Sequence, residues 1–222
     1  MTVLVMLNPK GGTGKTTTSL LLAQALSTRH PTAILDCDRN QNLVRWNSAR
    51  TQPATFTVAH AEAEDAETVL DSIVALEEGH EFVIVDLEGV KSQTATFALG
   101  RAHIVLIPIR PSAMEIALAA DAIKHVKSTA KVFNRHLPFA IVLNRTNAAF
   151  ATSRERQLHE ELKEAGIPLV PTSLMQRESY AAMFEDGQTL EEMLAQNPTS
   201  AIEKAIANRE AFAQAVLQFI ET

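Results

Sequence analysis

Near the start of the chain the segment Asn8-Pro9-Lys10-Gly11-Gly12-Thr13-Gly14-Lys15-Thr16-Thr17 concentrates three glycines, two lysines and three threonines. Glycines at these positions let the backbone turn successive N–H groups inward onto an anion, and a helix starting there adds its dipole. In that setting Lys15 reaches the β- and γ-phosphates of a nucleotide. Thr16 offers a hydroxyl to Mg2+, and Thr17 contacts the α-phosphate. The spacing departs from the common phosphate loop, G-x-x-x-x-G-K-[ST], because Pro9 stands where its first glycine would be and Lys10 is added beside it.

Phosphate chemistry at such a loop also needs carboxylates near the magnesium, delivered by the ends of other core strands. Two runs have that form: Ala33-Ile34-Leu35-Asp36-Cys37-Asp38 and Phe82-Val83-Ile84-Val85-Asp86. Asp86, after four apolar residues, has the shape of a Walker B acid that holds Mg2+ through water.

The elements that must position these groups follow from hydrophobic patterning. Apolar runs at residues 3–7, 33–36, 82–86, 104–108, 139–144 and 167–170 are strand-length, and the segments between them are long enough for helices. Their continuous apolarity predicts strands covered on both faces. The expected fold is therefore α/β, a mostly parallel central sheet flanked by helices on both faces, in one domain spanning residues 1–222. Ligands collect at the carboxyl ends of such strands. A helix is expected over residues 17–28, directly after the glycine loop. The run Ala61-Glu62-Ala63-Glu64-Asp65-Ala66-Glu67 reads as a solvated helix start. From Ser200 onward apolar residues recur at helical spacing, and the last twelve residues carry no Lys or Arg, so this helix is expected to pack on the domain rather than bind a membrane.

Composition limits the classes further. With 46% hydrophobic and 21% charged residues the chain is an ordinary folded domain, and its apolar runs are too short to span a bilayer. The N-terminus lacks a leader pattern, which predicts a cytoplasmic protein without membrane insertion. The one cysteine, Cys37, excludes intrachain disulfides and multi-thiolate metal sites, leaving oxygen ligands for any metal. A net charge of −6 argues against a strongly basic nucleic-acid binder and leaves room for a local basic patch.

The loop from Lys10 to Thr16, the Asp36-x-Asp38 strand end, Asp86 and the later Asn144-Arg145 together resemble the ParA/MinD family of deviant Walker A P-loop ATPases. The similarity runs from Thr2 to at least Gly187. Because the chain opens directly on its first strand, it looks like the small ParA members without an N-terminal DNA-binding domain. The resemblance implies ATP and Mg2+ as cofactors and a homodimer when ATP-bound. Lys10 then crosses to the phosphates of the partner's ATP, and with Lys15 and Asp38 completes the catalytic set, Asp38 positioning the attacking water. Thr16, Asp36 and Asp86 form the magnesium shell. Gly11, Gly12, Thr13, Gly14, Lys15, Thr16 and Thr17 line the phosphates, while Asn144, Arg145 and the Pro171-Thr172-Ser173 loop meet the adenine. Residues 177–187 resemble an arginine-led helix near the dimer interface.

Cargo-positioning members bind DNA without sequence preference when ATP-dimerised. Here Lys124, Lys127, Lys131 and Arg135 form one basic stretch, and Arg145, Arg154, Arg156 and Lys163 another. The implied function is an ATP-switched dimerising ATPase that cycles on and off nucleoid DNA to segregate or position a plasmid, chromosome region or protein cluster, with a cargo-associated partner stimulating hydrolysis. A MinD-like regulator at the membrane surface is the alternative, and it predicts a basic amphipathic tail that the acidic end at Glu221 does not supply. A nitrogenase-iron-protein-like carrier would need interface cysteines beyond Cys37, and a tyrosine kinase a tail richer than the single Tyr180. Two departures from the family pattern stand out. Arg39 replaces the proline of D-x-D-P-Q, with Gln41 one position late, and Asp86-Leu87-Glu88-Gly89-Val90 lacks a proline and brings an extra carboxylate.

Overall fold

The apolar runs assemble into one sheet in the order β3-β2-β4-β1-β5-β6-β7, and every pairing in it is parallel. The computed structural model describes residues 1–89, 92–147 and 152–221. Among them the strands are β1 (Thr2–Met6), β2 (Thr32–Cys37), β3 (Thr57–His60), β4 (Phe82–Leu87), β5 (Ile104–Ile109), β6 (Phe139–Thr146) and β7 (Leu174–Met175). The helices are α1 (Lys15–Leu26), α2 (Asn42–Ser48), α3 (Ala66–Glu77), α4 (Gln93–Arg101), α5 (Ala113–Val132), α6 (Ser153–Glu164), α7 (Glu178–Asp186), α8 (Leu190–Gln196) and α9 (Ser200–Ile220).

Each central strand is buried on both faces, as continuous apolarity requires. In β1, Val3 and Val5 face a core shared with α3 to α6, whereas Leu4 and Met6 face a core built with α1, α2 and α7 to α9. The amphipathic C-terminal helix packs on this second core through Phe212 and Val216. Its Arg209, 1% exposed, reaches Gln24 of α1 as well as Glu191 and Glu210.

Two expectations need correction. Residues 57–60 form an edge strand that the apolar pattern does not reveal, because its side chains are only half-covered. The run 167–170 contributes only a bridge from Leu169 to Ile141, and the last strand is Leu174–Met175. There β6 shifts register between Asn144 and Thr146, with Arg145 in the left-handed region at φ 56°. The acidic run at 61–67 is the helix start expected of it: Asp65 caps α3, accepting from the Thr68 amide at 3.0 Å, and Glu67 lies in the first turn.

Parallel register brings the chemistry to one edge. Asp36 lies opposite Asp86, and Asp86 lies opposite Met6, one residue before the glycine loop region.

Candidate nucleotide site

Asn8, buried and unnoticed in the sequence, fixes where the loop begins. Its Nδ2 donates to the Pro108 carbonyl at 2.7 Å, and its Oδ1 accepts from the Lys10 amide at 2.9 Å. Gly12 (φ 76°) and Gly14 (φ 98°) then take left-handed conformations that other residues rarely adopt. The Gly14 carbonyl accepts the Thr18 amide at 2.8 Å, and α1 begins at Lys15, two residues earlier than expected. Asn144, from the end of β6, braces the loop from behind: its Nδ2 donates to the Thr13 carbonyl at 3.0 Å and to Thr18 Oγ1 at 2.9 Å. A Cβ on Gly14 would stand 2.5 Å from that nitrogen.

Lys15 is 6% exposed, with Nζ 3.4 Å from the carbonyl oxygens of both Asn8 and Lys10. Burial pulls its pKa down, opposed by the charges of Asp86, Asp38 and Glu88. Thr16 and Thr17 follow it, both half-buried, while Gly11 and Gly12 are exposed.

The three acids differ sharply in their surroundings. Asp36 is fully buried and already engaged: Oδ1 accepts from the Asp38 amide at 3.1 Å, and Oδ2 accepts from the amides of Leu43 at 2.9 Å and Val44 at 3.3 Å. Burial raises its pKa against the pull of those amides. Its carboxylate therefore shapes the loop that carries Asp38. Asp38 closes a local turn, its Oδ1 accepting from the Asn40 amide at 2.8 Å and from Asn40 Nδ2 at 2.9 Å. His60 supports the same loop, with Nδ1 2.9 Å from the Asp36 carbonyl and Nε2 3.1 Å from Gln41 Nε2.

Asp86 is different: it is 1% exposed, and neither carboxylate oxygen has a partner at hydrogen-bonding geometry. Burial pushes its pKa up to about 7, although the nearby Thr16 hydroxyl and Lys15 ammonium favour the ionised form. A bare buried carboxylate beside a threonine hydroxyl suits a hard cation with oxygen ligands. Among the described residues no group of three or more His, Cys, Asp or Glu could hold a metal ion.

Lys10 lies on the outer rim of the loop. Its side chain is 37% exposed, and Nζ sits 2.9 Å from Oε1 of Glu115, a carboxylate that is itself 3% exposed in the first turn of α5. Glu115 Oε2 accepts from the Arg110 amide at 3.4 Å, and the Arg110 guanidinium donates to the Gly12 carbonyl. Arg110 and Glu115 escaped the sequence reading, since only the fold brings the end of β5 against the glycine loop. Their signal was position, polar residues after an apolar run.

The remaining expected contacts divide. Asn144 has one buried acceptor, Oδ1, without a partner. Arg145 and Pro171 are exposed at the same edge. The loop after Pro171 is held by α9, where Asn208 Nδ2 donates to the Ser173 carbonyl and Oδ1 accepts from the Met175 amide, each at 2.9 Å. Arg177 precedes α7 without a side-chain capping bond, and the helix stops at Gly187 in the left-handed conformation.

Lys124, Lys127 and Lys131 are exposed along the second half of α5, the half away from the site. Arg154 and Arg156 instead open α6 at the site end. Arg154 lies 3.9 Å from Glu161, and Lys163 is exposed. Arg135 leaves the basic row, because its guanidinium donates to the Gly100 carbonyl at 2.6 Å and the Ala102 carbonyl at 2.5 Å, closing the end of α4. Among the described residues no helix is long and apolar enough to cross a membrane.

An extra lysine beside the phosphate loop, set on this strand order, fits the ParA/MinD class of P-loop proteins. The family model described as VirC1 protein matches residues 1–222, and the chain belongs to that family. Protein ParA of Rhizobium radiobacter is 31% identical over 219 residues, covering 98% of this chain and 97% of that one. Maintenance of carboxysome distribution protein A of Halothiobacillus neapolitanus is 27% identical over 201 residues, covering 90% and 91%. In fold, apo McdA from Cyanothece matches with a TM-score of 0.79 at 18% identity, over 97% of this chain and 99% of that chain. The chain thus stands among the partitioning and positioning ATPases, and its expected fold class holds.

Proposed function

We propose that this protein dimerises when it binds ATP, associates with DNA without sequence preference, and hydrolyses ATP to segregate or position a cargo. The observation that carries this reading is Lys10, a half-exposed cation at the phosphate rim paired with a carboxylate of its own chain. Exchanging Glu115 for the phosphates of a partner's nucleotide would make ATP part of the dimer interface, and its hydrolysis would then weaken that interface. Within one subunit the backbone amides of Gly11 to Gly14 and the Lys15 ammonium bind the phosphates, with Thr17 at the α-phosphate. Asp38 orients the attacking water, a positioning role. Thr16 and Asp86, with Asp36 behind them, would hold Mg2+, which would supply neutralisation of phosphate charge. Asn144, Arg145 and Pro171 face the adenine. The dimer would reside on the nucleoid in the cytoplasm and be turned over by a cargo-associated partner.

Two variants test the cycle. Lys10→Ala is expected to keep ATP binding and lose ATP-dependent dimerisation in light scattering, and a normal dimer would remove the trans role. Asp38→Ala is expected to accumulate the ATP-bound dimer with turnover reduced about a hundred-fold. DNA association is checked with random-sequence duplex across a salt series. ATP-dependent binding that weakens steeply as salt rises is the expected result, and no binding at low salt refutes this part. Alanine at Lys124, Lys127 and Lys131 together should flatten that slope.

A further inference from the structure

The two places where the sequence departs from the family pattern meet in the fold. Arg39, in the loop after β2, places Nε 2.7 Å from Glu64 Oε1 and 3.2 Å from Glu88 Oε2. Glu88 directly follows β4, and Glu64 precedes α3, so a single guanidinium ties together three loops at the carboxyl edge of the sheet. Asp38, the neighbour of Arg39, rides on the first of these loops.

Position gives this tie a chemical consequence. Glu88 stands two residues after Asp86, and both it and Asp38 act on the Lys15 ammonium that faces the phosphates. An uncompensated carboxylate there repels a terminal phosphate, and repels a triphosphate more than a diphosphate. The Arg39 and Glu88 side chains are 63% and 45% exposed, so their attraction adds little to folding stability. Its effect falls instead on a highly charged ligand arriving beside it.

We propose that Arg39 is a positioning residue that clamps the loop bearing Asp38 to Glu88 and screens Glu88 from the terminal phosphate, thereby setting the preference for nucleoside triphosphate over diphosphate. The inference rests on the proposed nucleotide site. It is tested by measuring the affinities of wild type, Arg39→Lys, Arg39→Ala, Glu88→Gln and Arg39→Ala/Glu88→Gln for Mg2+ complexes of β,γ-imido-ATP and of ADP. Arg39→Ala is expected to weaken the triphosphate analogue about five- to ten-fold and ADP less than about two-fold, with the gap closing at high salt. Arg39→Lys should retain most of the preference, and adding Glu88→Gln to Arg39→Ala should restore it. Equal losses for both nucleotides, an unchanged ratio, or no recovery in the double variant would overturn the inference while leaving the ATPase reading intact. A wild-type protein that binds neither nucleotide would overturn both.

Discussion

Asp86→Asn should make the nucleotide-free protein more stable at neutral pH and at the same time abolish its ATP turnover. In the folded state Asp86 is a buried carboxylate with neither oxygen paired, and its pKa is raised to about 7. In the unfolded chain the same group titrates near its ordinary value of about 3.9. The sign follows directly. Below about pH 4 the carboxyl is neutral in both states and its contribution to stability is fully present. As pH rises toward 7 the unfolded chain ionises first, so stability is lost through that window and levels off above it. Asparagine removes the titration while leaving a buried amide to satisfy, giving a net gain of about 2 kcal/mol at pH 8, or roughly 4–8 °C in thermal midpoint for a chain of this size. At pH 4 the gain should vanish. Thermal melts at the two pH values, with and without Mg·ATP, read all of this out. The variant should lose the Mg2+-dependent part of the nucleotide's stabilisation. An Asn variant no more stable than wild type at pH 8, or one still turning over ATP, contradicts the role assigned to Asp86.

Gly14→Ala should be the most damaging single methyl in the chain. Two independent costs add there: φ of 98° lies outside the ordinary range of alanine, and the new Cβ meets Asn144 Nδ2 at 2.5 Å. Backbone strain of this kind costs about 1–3 kcal/mol, and forcing Asn144 away from Thr13 and Thr18 breaks two buried hydrogen bonds worth about 1 kcal/mol each. Denaturant unfolding should show a loss of about 3 kcal/mol or more, and nucleotide binding should disappear. Gly14→Ala/Asn144→Ala separates the two costs, since it removes the clash and keeps the strain. Partial recovery of stability without recovery of ATP binding is expected. Full recovery of binding would mean that the left-handed turn at Gly14 is dispensable.

What could be read from the sequence was local in character. Gly11 to Thr17 is contiguous, and Asp36 and Asp86 each end an apolar run, so short-range spacing located them. Continuous apolarity also announced a doubly covered parallel sheet, and that is how the central strands are buried. What stayed hidden depends on distant partners. Asn8 is meaningful only against Pro108, and Glu115, the partner of Lys10, only once the fold brings α5 to the loop. The edge strand Thr57–His60 lacks an apolar signature because solvent covers part of it. Arg135 looked like a member of a basic row and proved to be the closure of α4, a role that charge patterning cannot distinguish from an exposed cation. Arg39 and Glu88 were visible as departures, but nothing in the linear order said that they touch.

The central strand has a further consequence, for the order in which the molecule can be made. β1 lies between β4 and β5, with Thr2 opposite Phe82 and Leu4 opposite Ile104. A nascent chain emerging from the ribosome therefore has no neighbour for its first strand until β4 has appeared, and the anchor of Asn8 on Pro108 must wait for β5 as well. Closing such long segments carries an entropic cost that only the completed pairing repays. The glycine loop, although synthesised before β4 and β5, should be one of the last parts to acquire its native form. Until then the apolar first strand is an exposed edge that a chaperone could protect.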